Sequence, residues 1–269
     1  MSVAIGSASE NIYKVRQIFI ANGYDRHTFR HNMGLIVLAS PVPESIATPV
    51  KLYTEPFDIS IDASVVGYGL TMVHSRVYPS SAQAVSMAIQ SNKECSYFAD
   101  FDNATQVCAY GGRGKDVCGG DEGAPLLVTS DSGEVAVLGI ASYTTGPAGV
   151  KGLECGNGDR LVFFEMGGSW AKWIAAVSAI PYDNITDTNV SLGSIHRSKE
   201  SSNSGSSTIT QSVSKSITAF SANVGAIEGP SVELGDSPPS SAADTSLAST
   251  PSMGTALALL AFTLFAVSF

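Results

Sequence analysis

Positive charge and histidine are both scarce in this chain. Lys and Arg total 15 against 24 Asp and Glu, the formal charge is −9 and the pI is about 4.8. No run of basic residues occurs, which argues against a nucleic-acid partner, because phosphate binding needs clustered Lys and Arg. The acidic balance is read as solubility. The four histidines, His27, His31, His74 and His196, are scattered, and no Cys-x-x-Cys or His-rich spacing is present. Neither a metal nor any other cofactor is expected. The start, Met1-Ser-Val-Ala-Ile-Gly6, lacks a cationic region followed by an apolar core, so no signal peptide is visible.

What the sequence does contain points the other way. Cys95, Cys108, Cys118 and Cys155 make an even count, and Asn-x-Ser/Thr sequons stand at Asn103, Asn184 and Asn189. Both features favour an oxidising, secretory setting. Four cysteines allow three pairings, which spacing alone does not separate. The two sets of signs are reconciled if the chain is a shortened form of a longer secreted one. Hydrophobic residues at 44% allow a real core.

Along the chain, Ile12-Tyr-Lys-Val-Arg-Gln-Ile-Phe-Ile20 mixes β-branched and aromatic residues with alternating polar ones and reads as a strand. Met33–Leu38 is a second apolar run, ending at Pro41 and Pro43. Ala84–Gln90 alternates at period two, as a further strand would. Trp170, Trp173, Ile174 and Val177 fall at helical spacing within 169–177, a stripe suited to packing. From 181 to 252 the chain is rich in Ser, Thr, Gly, Asn and Pro. It has too little apolar surface to offset chain entropy, and reads as a disordered, solvated stalk. Residues 253–269 carry no charge, yet fall short of the about 20 apolar residues of a bilayer span. Small residues Ser240, Ser241, Ala242 and Ala243, followed by a spacer, fit a GPI-attachment signal; a direct membrane anchor is the alternative.

The central motif is Cys118-Gly-Gly-Asp-Glu-Gly-Ala-Pro125, followed by an apolar strand. It resembles the nucleophile loop of trypsin-like serine proteases (peptidase family S1), Cys-x-Gly-Asp-Ser-Gly-Gly-Pro, at Cys118, Gly120, Asp121, Gly123 and Pro125. The serine position holds Glu122, and the next glycine is Ala124. Ile61–Thr71 likewise resembles the family's Val-x-Gly-Trp-Gly strand, with Tyr68 at the Trp. His31–Leu38 resembles the segment that carries the catalytic aspartate, with Asn32 in its place. The family's segment with the catalytic histidine has no counterpart here.

The resemblance implies an all-β fold: a trypsin-like double barrel with its first barrel incomplete, then a C-terminal helix and the stalk. The expected divisions are 1–55 for the remnant of the first barrel, 56–180 for the second barrel and helix, 181–252 for the stalk and 253–269 for the anchor. It implies disulfides Cys95–Cys108 and Cys118–Cys155. Asp121 would point inward, where the family pairs it with the amine of a cleaved N-terminus. Asp116 would lie at the base of the specificity pocket, with Ser142, Tyr143 and Thr144 on its wall, or else in an exposed loop. Arg160 or Asp159 would stand where that pocket is normally open, and Arg160 could pair with Asp116.

Acyl transfer needs a hydroxyl nucleophile, an imidazole to take its proton and a carboxylate to fix the imidazole tautomer. None of the three is intact here. Only the oxyanion hole could survive, in the N–H groups of Gly120 and Glu122, with the Glu122 carboxylate folded into it in place of an oxyanion. The expected function is therefore that of a catalytically inactive homologue binding a protein or peptide through the old cleft, outside the cell or at its surface. The alternatives are a serine endopeptidase that is active when complete, and a structural surface glycoprotein.

Overall fold

A computed structural model describes residues 1–6, 11–71, 77–146, 155–156, 160–188 and 192, with the backbone of 222–223 and 265–267. Asn189, Asp159, His74, His196, the stalk apart from these short pieces and the small residues Ser240, Ser241, Ala242 and Ala243 lie outside the described residues, as does most of the 253–269 tail.

The protein is built mainly of β-strands in two sheets. The first is an antiparallel meander of β1 (Ser2–Ile5), β2 (Ile12–Ile20) and β3 (Gly34–Leu38). Its outer strands pair with the backbone pieces Ala222–Asn223 and Phe265–Val267. Strand β2 has the extent that its alternation predicts, and every residue of β3 is buried. Val3, Ile5, Ile36, Leu38 and Val42 form the core under this sheet.

The second sheet closes on itself. Strands β5 (Ala63–Gly67), β6 (Gln83–Ile89), β7 (Gln106–Tyr110), β8 (Pro125–Thr129), β9 (Val135–Thr145) and β10 (Leu161–Met166) pair in the ring β5-β6-β7-β10-β9-β8-β5. Closure removes the free edges that would otherwise recruit other chains. Inward residues such as Val65, Ala109, Leu126, Leu138 and Phe164 fill the barrel. Strand β4 (Leu52–Tyr53) precedes residue 55 yet runs parallel to β9, tying the connection between the sheets to the second of them.

Two helices brace the barrel. Helix α1 (Asn92–Phe98) begins with a capping box, Ser91 and Glu94 each accepting from the other's backbone N–H. The Cys95–Cys108 disulfide fastens it to β7. Asn103 is exposed inside that loop, and Asn184 is exposed on the short helix α3 (Tyr182–Ile185). Helix α2 (Gly167–Ser178) follows β10 without a connecting residue. Its stripe packs on both sheets: Ile174 meets Leu35 of the meander, and Trp170 and Trp173 lie against Met33, Val137 and Ile140.

Candidate functional site

The loop from Cys118 to Pro125 owes its shape to Asp121. One carboxylate oxygen accepts from the Gly69 N–H at 2.6 Å and the other from the Cys118 N–H at 3.1 Å. A Cβ at either Gly67 or Gly69 would collide with this carboxylate, which explains the Gly-x-Gly spacing at the end of β5. Burial pushes the Asp121 carboxyl above the ordinary carboxylate range, and the two amides oppose that rise. The Cys118–Cys155 disulfide holds the start of the loop. Asp121→Ala would leave two part-buried amides without an acceptor and is expected to cost about 2–3 kcal/mol, measured by urea unfolding. A loss under about 0.5 kcal/mol would show that the carboxylate does not shape the loop.

Glu122 comes next and is exposed. Its carboxylate turns back on its own loop and accepts from the Gly120 N–H at 2.9 Å. Gly120 has φ +93°, a left-handed conformation that favours glycine, and a Cβ there would also meet the Tyr78 ring at 2.7 Å. The Gly120 amide is thus engaged by a side chain of the same loop.

Asn32 is buried just before β3, and its Nδ2 donates to Ser142 Oγ at 2.9 Å. Ser142 and Asn32 therefore join the meander to strand β9. His31 is adjacent but faces another way, its ring set edge-on to Trp170 with centroids 5.5 Å apart. Strand alternation predicts opposite faces for the two residues; the cause is different. His31 lies outside the strand in a turn, where Phe29 and His31 both have φ 54°. Its buried Nδ1 makes no hydrogen bond among the described residues.

A cavity of about 230 Å³ is lined in part by Val117, the Cys118–Cys155 disulfide, Ser142, Tyr143, Thr144 and Arg160, and Asp116 stands beside Arg160. Its Oδ1 accepts from the Val117 N–H at 2.8 Å and its Oδ2 from the Gly156 N–H at 3.2 Å. Arg160 Nε lies 3.7 Å from Oδ2, with the Asp116 side chain 6% exposed and that of Arg160 12%. Arg160 also donates through Nη2 to Thr144 Oγ1. Burial raises the Asp116 carboxyl above its ordinary range, offset in part by the Arg160 guanidinium and then by the two amides. Tyr143 forms the wall between Phe163, stacked at 4.7 Å, and Phe29, stacked at 5.2 Å. Burial, aided by Glu165 and Asp100, pushes the Tyr143 phenol up to about 12.

Sequence reasoning overlooks Glu165 altogether. It is fully buried at the end of β10 and takes three hydrogen bonds: from Asn32 N–H at 3.3 Å, Gln106 Nε2 at 2.9 Å and Trp170 Nε1 at 2.9 Å. It links the meander, the barrel and α2 behind the site. The available signal is an acid closing the apolar run Leu161-Val-Phe-Phe164, a place where an ionisable residue is costly without partners. Among the described residues, no group of three or more His, Cys, Asp or Glu could hold a metal ion.

Comparison with known proteins finds related chains. The chain is 28% identical over 159 residues to "Glucanase inhibitor protein 1" of Phytophthora sojae, covering 57% of this chain and 56% of that protein. It is 27% identical over 175 residues to "Transmembrane protease serine 11G" of Rattus norvegicus, 62% of this chain and 40% of that one. It is 26% identical over 190 residues to "Inactive CLIP domain-containing serine protease A3" of Aedes aegypti, 65% and 38% respectively. The chain thus spans about half the length, or less, of these relatives. The family model described as Trypsin matches residues 2–164, and with the greater part of its length so matched, the chain belongs to the trypsin family.

Proposed function

We propose that this chain is a serine-protease homologue without peptidase activity, one that binds a protein or peptide through the cleft beside Glu122. The observation that carries the reading is the hydrogen bond from Gly120 N–H to the Glu122 carboxylate. It puts an acceptor where a hydroxyl would attack, and it engages the amide that would stabilise the transition state. Asn32 supports the same reading, since an amide at that position cannot fix and stabilise an imidazolium as a carboxylate does. The relatives named as inhibitors and as an inactive protease are compatible with a binding role for the fold. A place outside the cell or at its surface fits two disulfides in a small barrel. The apolar tail at 253–269 would attach it to a membrane, through GPI or directly. Among the described residues, no helix is long and apolar enough to cross a membrane.

The test is hydrolysis of chromogenic Arg, Lys and Phe peptide substrates by the purified chain and by Glu122→Ser. Both are expected to stay at the buffer rate. Loss of the nucleophile in an intact triad already removes about six orders of magnitude, and a restored hydroxyl still lacks its base. Turnover by the natural sequence that Glu122→Ala abolishes would overturn the proposal in favour of an active endopeptidase.

A further inference from the structure

Helix α2 presents little charge to its surroundings. Within Gly167-Gly-Ser-Trp-Ala-Lys-Trp-Ile-Ala-Ala-Val-Ser178, Lys172 alone is charged. Ser169, Lys172 and Ala176 are its exposed positions, at the three- and four-residue spacing of a single helix face. A helix face open to water ordinarily carries charged and polar residues. Two Asn-x-Thr sequons from distant parts of the chain flank this face. Asn103 lies in the turn from Asp102 to Thr105, where the Asp102 carboxylate accepts from the Ala104 N–H at 3.0 Å. That turn is fastened to the start of α2. Ser169 Oγ donates to Ala104 O at 2.9 Å, and the N–H of Met166, the residue before the helix, donates to Thr105 O at 2.7 Å. Asn184 lies on α3, just past the last residue of α2, and Ile185 beside it shares a core cluster with Ile174 of α2. Both asparagines are exposed. Their sequons have Ala104 and Ile185 at the centre, where proline would block modification, and both end in threonine, Thr105 and Thr186.

We propose that Asn103 and Asn184 each carry an N-linked oligosaccharide, so that α2 has a glycan at its first turn and another just past its last. The inference rests on the placement outside the cell proposed above. The donor is a lipid-linked oligosaccharide pyrophosphate. A bond forms between the asparagine Nδ2 and the anomeric carbon of the first sugar, and the bond from that carbon to the phosphate oxygen breaks. The pyrophosphate leaves with its lipid, one amide proton passes to solvent, and nothing is oxidised or reduced. The product is a bulky, uncharged and strongly hydrated cover, which suits a face that has little charge of its own.

The natural chain, captured with an antibody from the cells that make it, provides the test. Peptide N-glycanase in heavy-oxygen water turns an asparagine that bore a glycan into labelled aspartate and leaves a bare one unchanged. Peptide mapping is expected to find the label at both positions in more than about half of the molecules. Unlabelled asparagine at either position overturns the proposal. The same digest, run without reductant, reports the Cys95–Cys108 and Cys118–Cys155 bridges. Closed bridges with bare asparagines would defeat this inference and leave the placement outside the cell standing, whereas free thiols with bare asparagines would defeat both. As a second measurement, the chain is secreted from cultured eukaryotic cells behind a leader. Asn103→Gln and Asn184→Gln should each remove one glycan step on a gel, and Thr105→Ser, which keeps the hydroxyl, should retain it. A gel pattern that either glutamine variant leaves unchanged also overturns the assignment.

Discussion

Replacement of Glu165 by alanine is expected to lower the free energy of unfolding by about 3–4 kcal/mol. The carboxylate is fully buried and accepts from Asn32 N–H, Gln106 Nε2 and Trp170 Nε1. Each donor stranded in the interior costs about 1–3 kcal/mol. Relief from burying the acid offsets part of the sum. For a domain of this size the melting temperature should fall by about 10 °C. Glu165→Gln keeps one acceptor oxygen and should cost about half as much. Urea unfolding of the two variants against the natural sequence checks the order, and an alanine variant within about 1 kcal/mol of it would show the network to be unimportant.

The same residue gives a pH dependence of definite sign. Burial, the largest cause, holds the folded carboxyl of Glu165 above its ordinary value; the hydrogen bonds from Gln106, Trp170 and Asn32 and the proximity of His31 pull the other way. In the window between the unfolded value, about 4.3, and the raised folded one, the folded protein binds more protons than the unfolded chain. Unfolding free energy from this group therefore falls as pH rises through the window and recovers on acidification. Asp116 and Asp121, also raised mainly by burial, act in the same direction. Glu165→Gln should flatten the slope measured between neutral pH and about pH 5. A slope unchanged by that substitution would remove Glu165 from the account.

Removing the Cys118–Cys155 disulfide by a double alanine substitution is the second large effect. The bridge spans 37 residues of sequence, against 13 for Cys95–Cys108. Loop-closure entropy gives about 4 kcal/mol for the longer bridge and about 3 kcal/mol for the shorter. Local consequences widen the gap. Residue 156 donates the amide that holds Asp116, and both cysteines line the cavity. Releasing them should loosen the Asp116–Arg160 pair. Denaturation with and without each bridge reads the difference between them. A cost below about 1 kcal/mol for the longer bridge would mean that the unfolded chain is already restricted by other means.

The scaffold was legible in the sequence because its signals are local. Cys118-Gly-Gly-Asp-Glu-Gly lies in a single loop, and the alternation of 12–20 needs no knowledge of a partner strand. Glu122 and Asn32 stand, by the resemblance, where the family has a hydroxyl and a carboxylate, and residue type alone suffices for that expectation. What was not legible depends on residues far apart in sequence. The Gly69 amide that satisfies Asp121 and the Gly156 amide that satisfies Asp116 carry no side-chain signature. Glu165 looks like the polar end of a strand until β10 is seen closing the barrel against β7 and β9, with Trp170 folded back over it. The faces of Asn32 and His31 depend on two positive φ angles in the preceding turn, and neither Phe29 nor His31 is a residue type that announces one.

The anchoring of Asp121 couples its loop to the turn at Gly69. Both of its oxygens meet amides that belong to the barrel and the loop themselves, so the loop completes its shape as the chain folds. A disturbance of the turn at Gly69 would therefore carry straight through the Asp121 carboxylate to the backbone that presents Glu122.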